Sequence, residues 1–121
     1  VVVMERTNAM HVILPASPRG EPEKVDIISI DVGWTKQRMI IPNALVNLKE
    51  GGVIISLIKP QYEAESKKIR GGKLEDRYLE EILNQAKLDI ENVGGKVIDI
   101  IESPILGEKG GNKEFLALIQ R

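Results

Sequence analysis

The sequence predicts an α/β domain built on parallel strands and closed by an antiparallel hairpin. Three observations point there. Val25–Val32 (VDIISIDV) and Val53–Ile58 (VIISLI) are near-continuous aliphatic runs, the pattern of strands covered on both faces. A helical pattern lies between them, which makes a strand–helix–strand crossover unit. Glu114–Ile119 (EFLALI) follows a Pro/Gly loop as a last strand, close enough to Lys96–Ile101 (KVIDII) to fold back on it.

Taken in order, Val1–Met4 is a short β-branched run that makes a strand only if it finds neighbours. The chain begins at Val1 with Met4 behind it, and the expectation is a trimmed or truncated chain. Glu5–Asn8 leaves that strand with polar groups. Leu14–Lys24 carries Pro15, Pro18, Pro22 and Gly20, which forbid a continuous helix or ladder and predict a crossover loop. After Val25–Val32, Gly33 and Trp34 make a turn and Thr35 is the expected N-cap of a helix through about Lys49. Met39, Ile40, Ala44, Leu45 and Leu48 keep its apolar stripe, and Pro42 interrupts it. Gly51-Gly52 should end it, since glycine takes the left-handed cap without a Cβ penalty. Lys59-Pro60 closes the strand Val53–Ile58, and Gln61–Leu74, with Lys67, Lys68, Arg70 and Lys73 around Gly71-Gly72, reads as a long exposed loop. Leu79, Ile82, Leu83, Ala86, Ile90 and Val93 predict a helix over Glu75–Val93, stopped by Gly94-Gly95. Ser103–Asn112 is the loop before the last strand.

Composition narrows the chemistry. At 121 residues the chain is one domain at most. Without cysteine it has no disulfide, thiolate nucleophile or zinc–sulfur site, and with His11 as its one histidine a two-histidine metal site has no second ligand. The net charge of −1 gives no bulk attraction to nucleic acid, so any RNA contact must be local. An aromatic content of 3% is too low to build a stacking platform for a single strand. No apolar run reaches the roughly 18 residues of a membrane span, and a cytoplasmic location follows by default.

The residues that invite chemistry sit at strand ends. Asp31 ends one parallel strand and Lys59 follows its neighbour, where open α/β sheets place their ligand crevice. Each has a structural competitor: Asp31 serves as readily to cap the next helix, Lys59 to snorkel from a strand terminus, and Glu114 to be a solvated edge residue. The Lys67–Lys73 loop suits a solvated surface better than an RNA clamp. Trp34 suits packing at least as well as substrate contact, and His11 has no evident partner. Gly71-Gly72 and Gly110-Gly111 lack the strand-to-helix setting of a phosphate loop and read as turns.

Four segments carry a resemblance: ERTN (5–8), IDVGW (30–34), LIKPQYE (57–63) and SPILGEKGGNKEF (103–115). They resemble the FtsJ-type SAM-dependent methyltransferases, most closely the TlyA/hemolysin-A branch, which joins an RNA-binding S4 domain to the methyltransferase domain. The resemblance implies a Rossmann-like class I methyltransferase sheet truncated on its N-terminal side, with residues 1–121 as the C-terminal part of one domain. It implies S-adenosyl-L-methionine as cofactor and ribosomal RNA or a ribosomal subunit as partner, with a ribose 2′-hydroxyl as methyl acceptor. Of the family's Lys-Asp-Lys-Glu set it places Asp31, Lys59 and Glu114 here as catalytic residues, and Asn8 and Asp31 beside the cofactor. The first Lys, the Gly-rich loop and the acidic residue that grips the cofactor's ribose lie upstream of Val1 in the family. Lys59 acts as a base only if its pKa falls well below the ordinary ~10.4. The alternative reading is a non-catalytic module that lacks the Gly-rich loop and self-associates, a homodimer forming through the exposed sheet edge of Val25–Val32 unless Val1–Met4 caps it. Neither an amphipathic nor a membrane-spanning segment supports a hemolytic action.

Overall fold

A computed structural model describes residues 2–16, 18–107 and 111–121. Its centre is a four-stranded sheet in the order β1-β2-β6-β5, formed by β1 (Val25–Ile30), β2 (Leu48–Ile58), β5 (Lys96–Glu102) and β6 (Phe115–Gln120). β1 and β2 are parallel, joined by helix α1 (Gln37–Asn47), while β6 lies antiparallel between β2 and β5. Helix α2 (Pro60–Glu63) follows β2, a small hairpin pairs β3 (Ile69–Arg70) with β4 (Lys73–Leu74), and helix α3 (Leu79–Asn92) leads into β5.

The core lies between the sheet and the helices. Leu48, Ile54 and Ile58 of β2 and Phe115, Ala117 and Ile119 of β6 point at Ile40, Ile41, Ala44 and Leu45 of α1 and Ala86 and Ile90 of α3. Ile41, Leu48, Ile54, Ile58, Ile90 and Ile119 are fully buried, each contributing on the order of 1.5–3 kcal/mol. Because α3 touches both α1 and α2, the three helices share one side of the sheet. The aliphatic runs expected to be covered on both faces are therefore covered on one. Ile27 is 64% exposed, Ile55 41% and Ile101 54%, and Val53, Leu57, Leu116 and Leu118 lie outside the core cluster.

Several local expectations change. Val2–Met4 forms no strand and is exposed, and Val1 lies outside the described residues. The following segment is instead held on α1: Asn43 Nδ2 donates to the carbonyls of Ala9 and Val12, and Asn47 pairs with Val12 O and the Leu14 amide. The proline-rich connection closes on itself through a bridge between Ala16 and Pro22, with Ser17 outside the described residues. Helix α1 starts at Gln37 rather than after a Thr35 cap, and runs through Pro42. It does not stop at Gly51-Gly52 but passes straight into β2 at Leu48, its last carbonyls, Leu45 O and Leu48 O, taken by the Arg121 guanidinium. The two glycines serve an excursion in β2, whose register jumps from Val25↔Leu48 to Ile27↔Val53.

The expected loop Gln61–Leu74 is mostly structured, as α2, a 3₁₀ turn at Ser66–Lys68 and the β3–β4 hairpin. Gly71 (φ 56°) and Gly72 (φ 78°) form its two-residue turn, a geometry that β-branched residues cannot take. Helix α3 lies within the expected Glu75–Val93 and ends as expected, with Gly94 left-handed (φ 103°) and the Gly95 amide donating to Ile90 O. The final hairpin is antiparallel as expected. Of the loop Ser103–Asn112, Glu108–Gly110 lie outside the described residues.

A Cβ on Gly52 would stand 2.7 Å from Leu48 Cδ1 and 2.8 Å from Asp26 O, two neighbours fixed by the sheet. Gly52→Ala should destabilise the fold by about 1–3 kcal/mol in urea unfolding. Gly33→Ala, with open space around it, should change it by less than about 0.5 kcal/mol.

Candidate active site

Three strand ends meet at one corner of the sheet. Asp31 follows the last residue of β1, and Lys59 follows the last residue of β2. Glu114 precedes β6, one step beyond the Ile58↔Phe115 pair, which sets it across from Lys59. Lys59 Nζ lies 2.8 Å from Asp31 Oδ1. The lysine side chain is 19% exposed and the aspartate 70%, so a partly buried ammonium is presented by a carboxylate that faces solvent. Glu114 packs against Gly107, where a Cβ would come within 2.9 Å of its Oε1, and its carbonyl accepts from the Ser103 amide at 2.8 Å. The hydrogen bond that Lys59 donates to Asp31 raises the Lys59 pKa above its ordinary value, burial opposes this, and the charges of Asp31 and Glu114 add to it. That direction is the reverse of what a lysine base needs at neutral pH: here Lys59 is a held cation and a hydrogen-bond donor.

The corner is braced from beneath. Gln37, at the start of α1, is buried; Ser56 Oγ donates to its Oε1 at 2.6 Å and its Nε2 donates to Leu57 O at 3.3 Å. Its backbone amide donates to Glu63 Oε1 at 2.8 Å, so a carboxylate from α2 supplies the cap that Thr35 was expected to give α1. Burial pushes the Glu63 pKa up, against the Gln37 hydrogen bond and the Lys36 charge. Through Glu63 and Gln37 the Lys59–Glu63 segment is tied to the loop that carries Asp31.

An aromatic cleft opens beside the corner. Trp34 is 87% exposed, sits in the left-handed region (φ 61°), and lies 5.0 Å from the Tyr62 ring between centroids. With Gln61, Gly71, Gly72 and Asn112 these rings line a cleft of about 490 Å³. Asn112 is buried and fixes the far wall, its Oδ1 accepting from the Leu74 amide and its Nδ2 donating to Gly72 O. Sequence reasoning missed this cleft. Among four aromatic residues in all, two are brought together, a pairing that a composition figure conceals.

Other expected residues stay apart from the corner. Asn8 caps the 3₁₀ turn Ala9–His11, its Oδ1 accepting from the Met10 amide at 3.0 Å. Its neighbour Ala9 lines a groove of about 350 Å³ with Val12, Ile28, Asp31 and Val32. The basic residues around the hairpin are largely neutralised: Lys67 pairs with Glu65, Lys68 with Glu81, and Arg70 and Arg77 with Glu75.

These features define an α/β sheet with a charged cluster where β1, β2 and β6 meet. No protein-family model matches the chain. It is similar to "Hemolysin A" of Brachyspira hyodysenteriae, 39% identical over 93 residues that cover 75% of this chain and 38% of that protein. It is also similar to "Putative rRNA methyltransferase YqxC" of Bacillus subtilis, 31% identical over 118 residues, 96% of this chain and 41% of that one. The chain spans about two fifths of the length of these curated relatives. Two solved structures, each described as a "putative hemolysin", share its fold. The one from Lactococcus lactis has a TM-score of 0.82 at 30% identity, over 98% of this chain and 55% of that one. The one from Streptococcus thermophilus has 0.84 at 28% identity, over 98% and 42%. An S-adenosylmethionine-dependent methyltransferase from Clostridium acetobutylicum shares the fold more loosely, with a TM-score of 0.54 at 15% identity over 94% of this chain and 62% of that one.

Two titrations follow. Folded Glu63 holds its proton to higher pH than the unfolded chain, so stability should fall as pH rises from its ordinary value of 4.5 through the folded value, then level off. Glu63→Gln should flatten that slope in urea midpoints taken between about pH 4 and 7. Lys59 acts with the same sign in the alkaline range: its stabilisation is complete below its ordinary 10.5 and is lost as pH rises through the raised folded value. Asp31→Asn should shrink that alkaline loss.

Proposed function

We propose that the chain is the C-terminal part of one Rossmann-like methyltransferase domain of the TlyA/hemolysin-A branch, acting in the cytoplasm. On this reading it transfers a methyl group from S-adenosyl-L-methionine to RNA, at a ribose 2′-hydroxyl of ribosomal RNA. The observation that carries the reading is the junction of Asp31, Lys59 and Glu114 at three adjacent strand ends, with Lys59 Nζ 2.8 Å from Asp31 Oδ1. The similarity to a protein named for rRNA methylation supports it.

The described residues fit the cofactor in part. The groove beside Asp31 offers an apolar wall for a flat base and one carboxylate for a cationic centre. Its lining holds no lysine or arginine to receive the cofactor's carboxylate. The cofactor supplies an activated methyl on a sulfonium. The chain's own residues act on the acceptor. The Lys59 ammonium, held by Asp31, donates a hydrogen bond that fixes the hydroxyl oxygen, and the facing carboxylate of Glu114 takes up the hydroxyl hydrogen as its oxygen becomes bonded. The exposed Trp34 ring offers a base of the acceptor RNA one stacking contact of about 1–3 kcal/mol that needs no basic stripe.

The test is methyl transfer from labelled S-adenosyl-L-methionine to ribosomal RNA, followed by alkaline hydrolysis. A 2′-O-methyl leaves an alkali-resistant dinucleotide, and label released as a mononucleotide would refute the ribose assignment. Lys59→Ala and Glu114→Ala should each lower the rate by about 10²-fold or more. Trp34→Ala should raise KM for RNA about tenfold or more with a smaller effect on kcat.

A further inference from the structure

We propose that Asn112 is a positioning residue that holds the β3–β4 hairpin and Glu114 as one unit, so that the wall of the aromatic cleft and the carboxylate facing Lys59 keep a fixed relation. Its side chain is buried and makes two hydrogen bonds to the hairpin. Oδ1 accepts from the Leu74 amide at 3.0 Å, and Nδ2 donates to the Gly72 carbonyl at 2.9 Å. A carbonyl at one residue and an amide two residues on are the pair that the backbone of a neighbouring strand would take up. The Asn112 side chain thus stands in for one peptide of a further strand. Only a carboxamide offers a donor and an acceptor side by side for that task, and asparagine is the shorter of the two residues that carry one. Leu74 is itself buried, so its amide has no water to fall back on.

The same residue anchors the approach to Glu114. The Asn112 carbonyl accepts from the Gly107 amide at 2.9 Å, and the Glu114 carbonyl accepts from the Ser103 amide at 2.8 Å. Downstream, Phe115 is paired with Ile58 in the sheet. Between Asn112 and Phe115 the backbone has only Lys113 and Glu114, and the Lys113 ammonium reaches no nearer than 3.8 Å to Glu102 at the surface, a pair too exposed to hold much. Glu114 is therefore set by a backbone pinned two residues upstream, and the side chain that pins it also pins Gly72 and Leu74. Gly71 and Gly72 are the part of the hairpin that lines the cleft with Trp34 and Tyr62. The consequence for chemistry rests on the role proposed above for Glu114: cleft wall and carboxylate share one bracket, and neither shifts without the other.

Two measurements test the bracket, and neither uses methyl transfer, so it and the proposed reaction stand or fall separately. In hydrogen exchange of the wild-type chain, the amides of Leu74 and Ser103 should open together, with protection factors within about threefold of each other. Lys59 is faced by Asp31, Glu114 and Tyr62, and the Glu114 charge helps to keep it protonated. In competitive acetylation near pH ~9, Glu114→Gln should therefore raise the Lys59 rate, measured against the exposed Lys87, about twofold or more. Asn112→Ala and Asn112→Ser should raise it in the same direction, and neither should add to the Glu114→Gln change when the two are combined. Separate opening of the two amides would overturn the proposal, and that result decides the matter if both Asn112 variants fail to fold. So would an Asn112 variant with a native circular dichroism spectrum and wild-type Lys59 reactivity. An effect that persists undiminished in the Glu114→Gln background would also overturn it, because Asn112 would then loosen the site without acting through Glu114.

Discussion

The hydrogen bond between Ser56 and Gln37 is the interaction on which the arrangement of the strand ends depends. It joins the middle of β2 to the first residue of α1 inside the core, where water cannot replace a lost partner. Leaving such a group unpaired costs about 1–3 kcal/mol, so the side chain is effectively pinned. Once Gln37 is placed, its amide meets Glu63, and the segment between Lys59 and Glu63 is drawn against the loop that runs from Asp31 to Lys36. The ion pair at the surface is thus the visible end of a buried polar chain. A rigid support of this kind matters for chemistry, because a hydroxyl misplaced by an ångström loses most of the benefit of being held.

The sheet divides the molecule's tasks by direction. Across its thickness it is a packing device, with one face under helices and the other aliphatic and open. Along its strands it is a positioning device, and the charged cluster lies at the carboxyl ends of β1 and β2 and the amino end of β6.

Much of this was legible in the sequence, and the failures have physical causes. Aliphatic runs located β1, β2 and β6, the stripe from Leu79 to Ile90 located α3, and Asp31, Lys59 and Glu114 were singled out before their meeting could be seen. The inference that both faces were covered failed because a run such as VIISLI reports what a strand can bury, not what is present to bury it. Gly51-Gly52 were misread because a β excursion and a helix stop call for the same residue. The β3–β4 hairpin escaped notice because two-residue strands carry no periodicity. The brace through Gln37 and Glu63 and the hold of Asn43 and Asn47 on residues 9–14 join positions far apart in the chain through single polar side chains, for which sequence pattern has no signature.

The place of β6 between β2 and β5 has a consequence for how the protein is made. The strand that joins the two halves of the sheet follows both of them in the chain. Until it emerges from the ribosome, β5 has no neighbour in the sheet and β2 presents an open inner edge, so only the β1–α1–β2 unit can close early. Arg121, which secures the far end of α1, arrives later still. During translation the nascent chain therefore carries two unsatisfied strand edges until β6 pairs with both, and the sheet closes only once β6 has emerged.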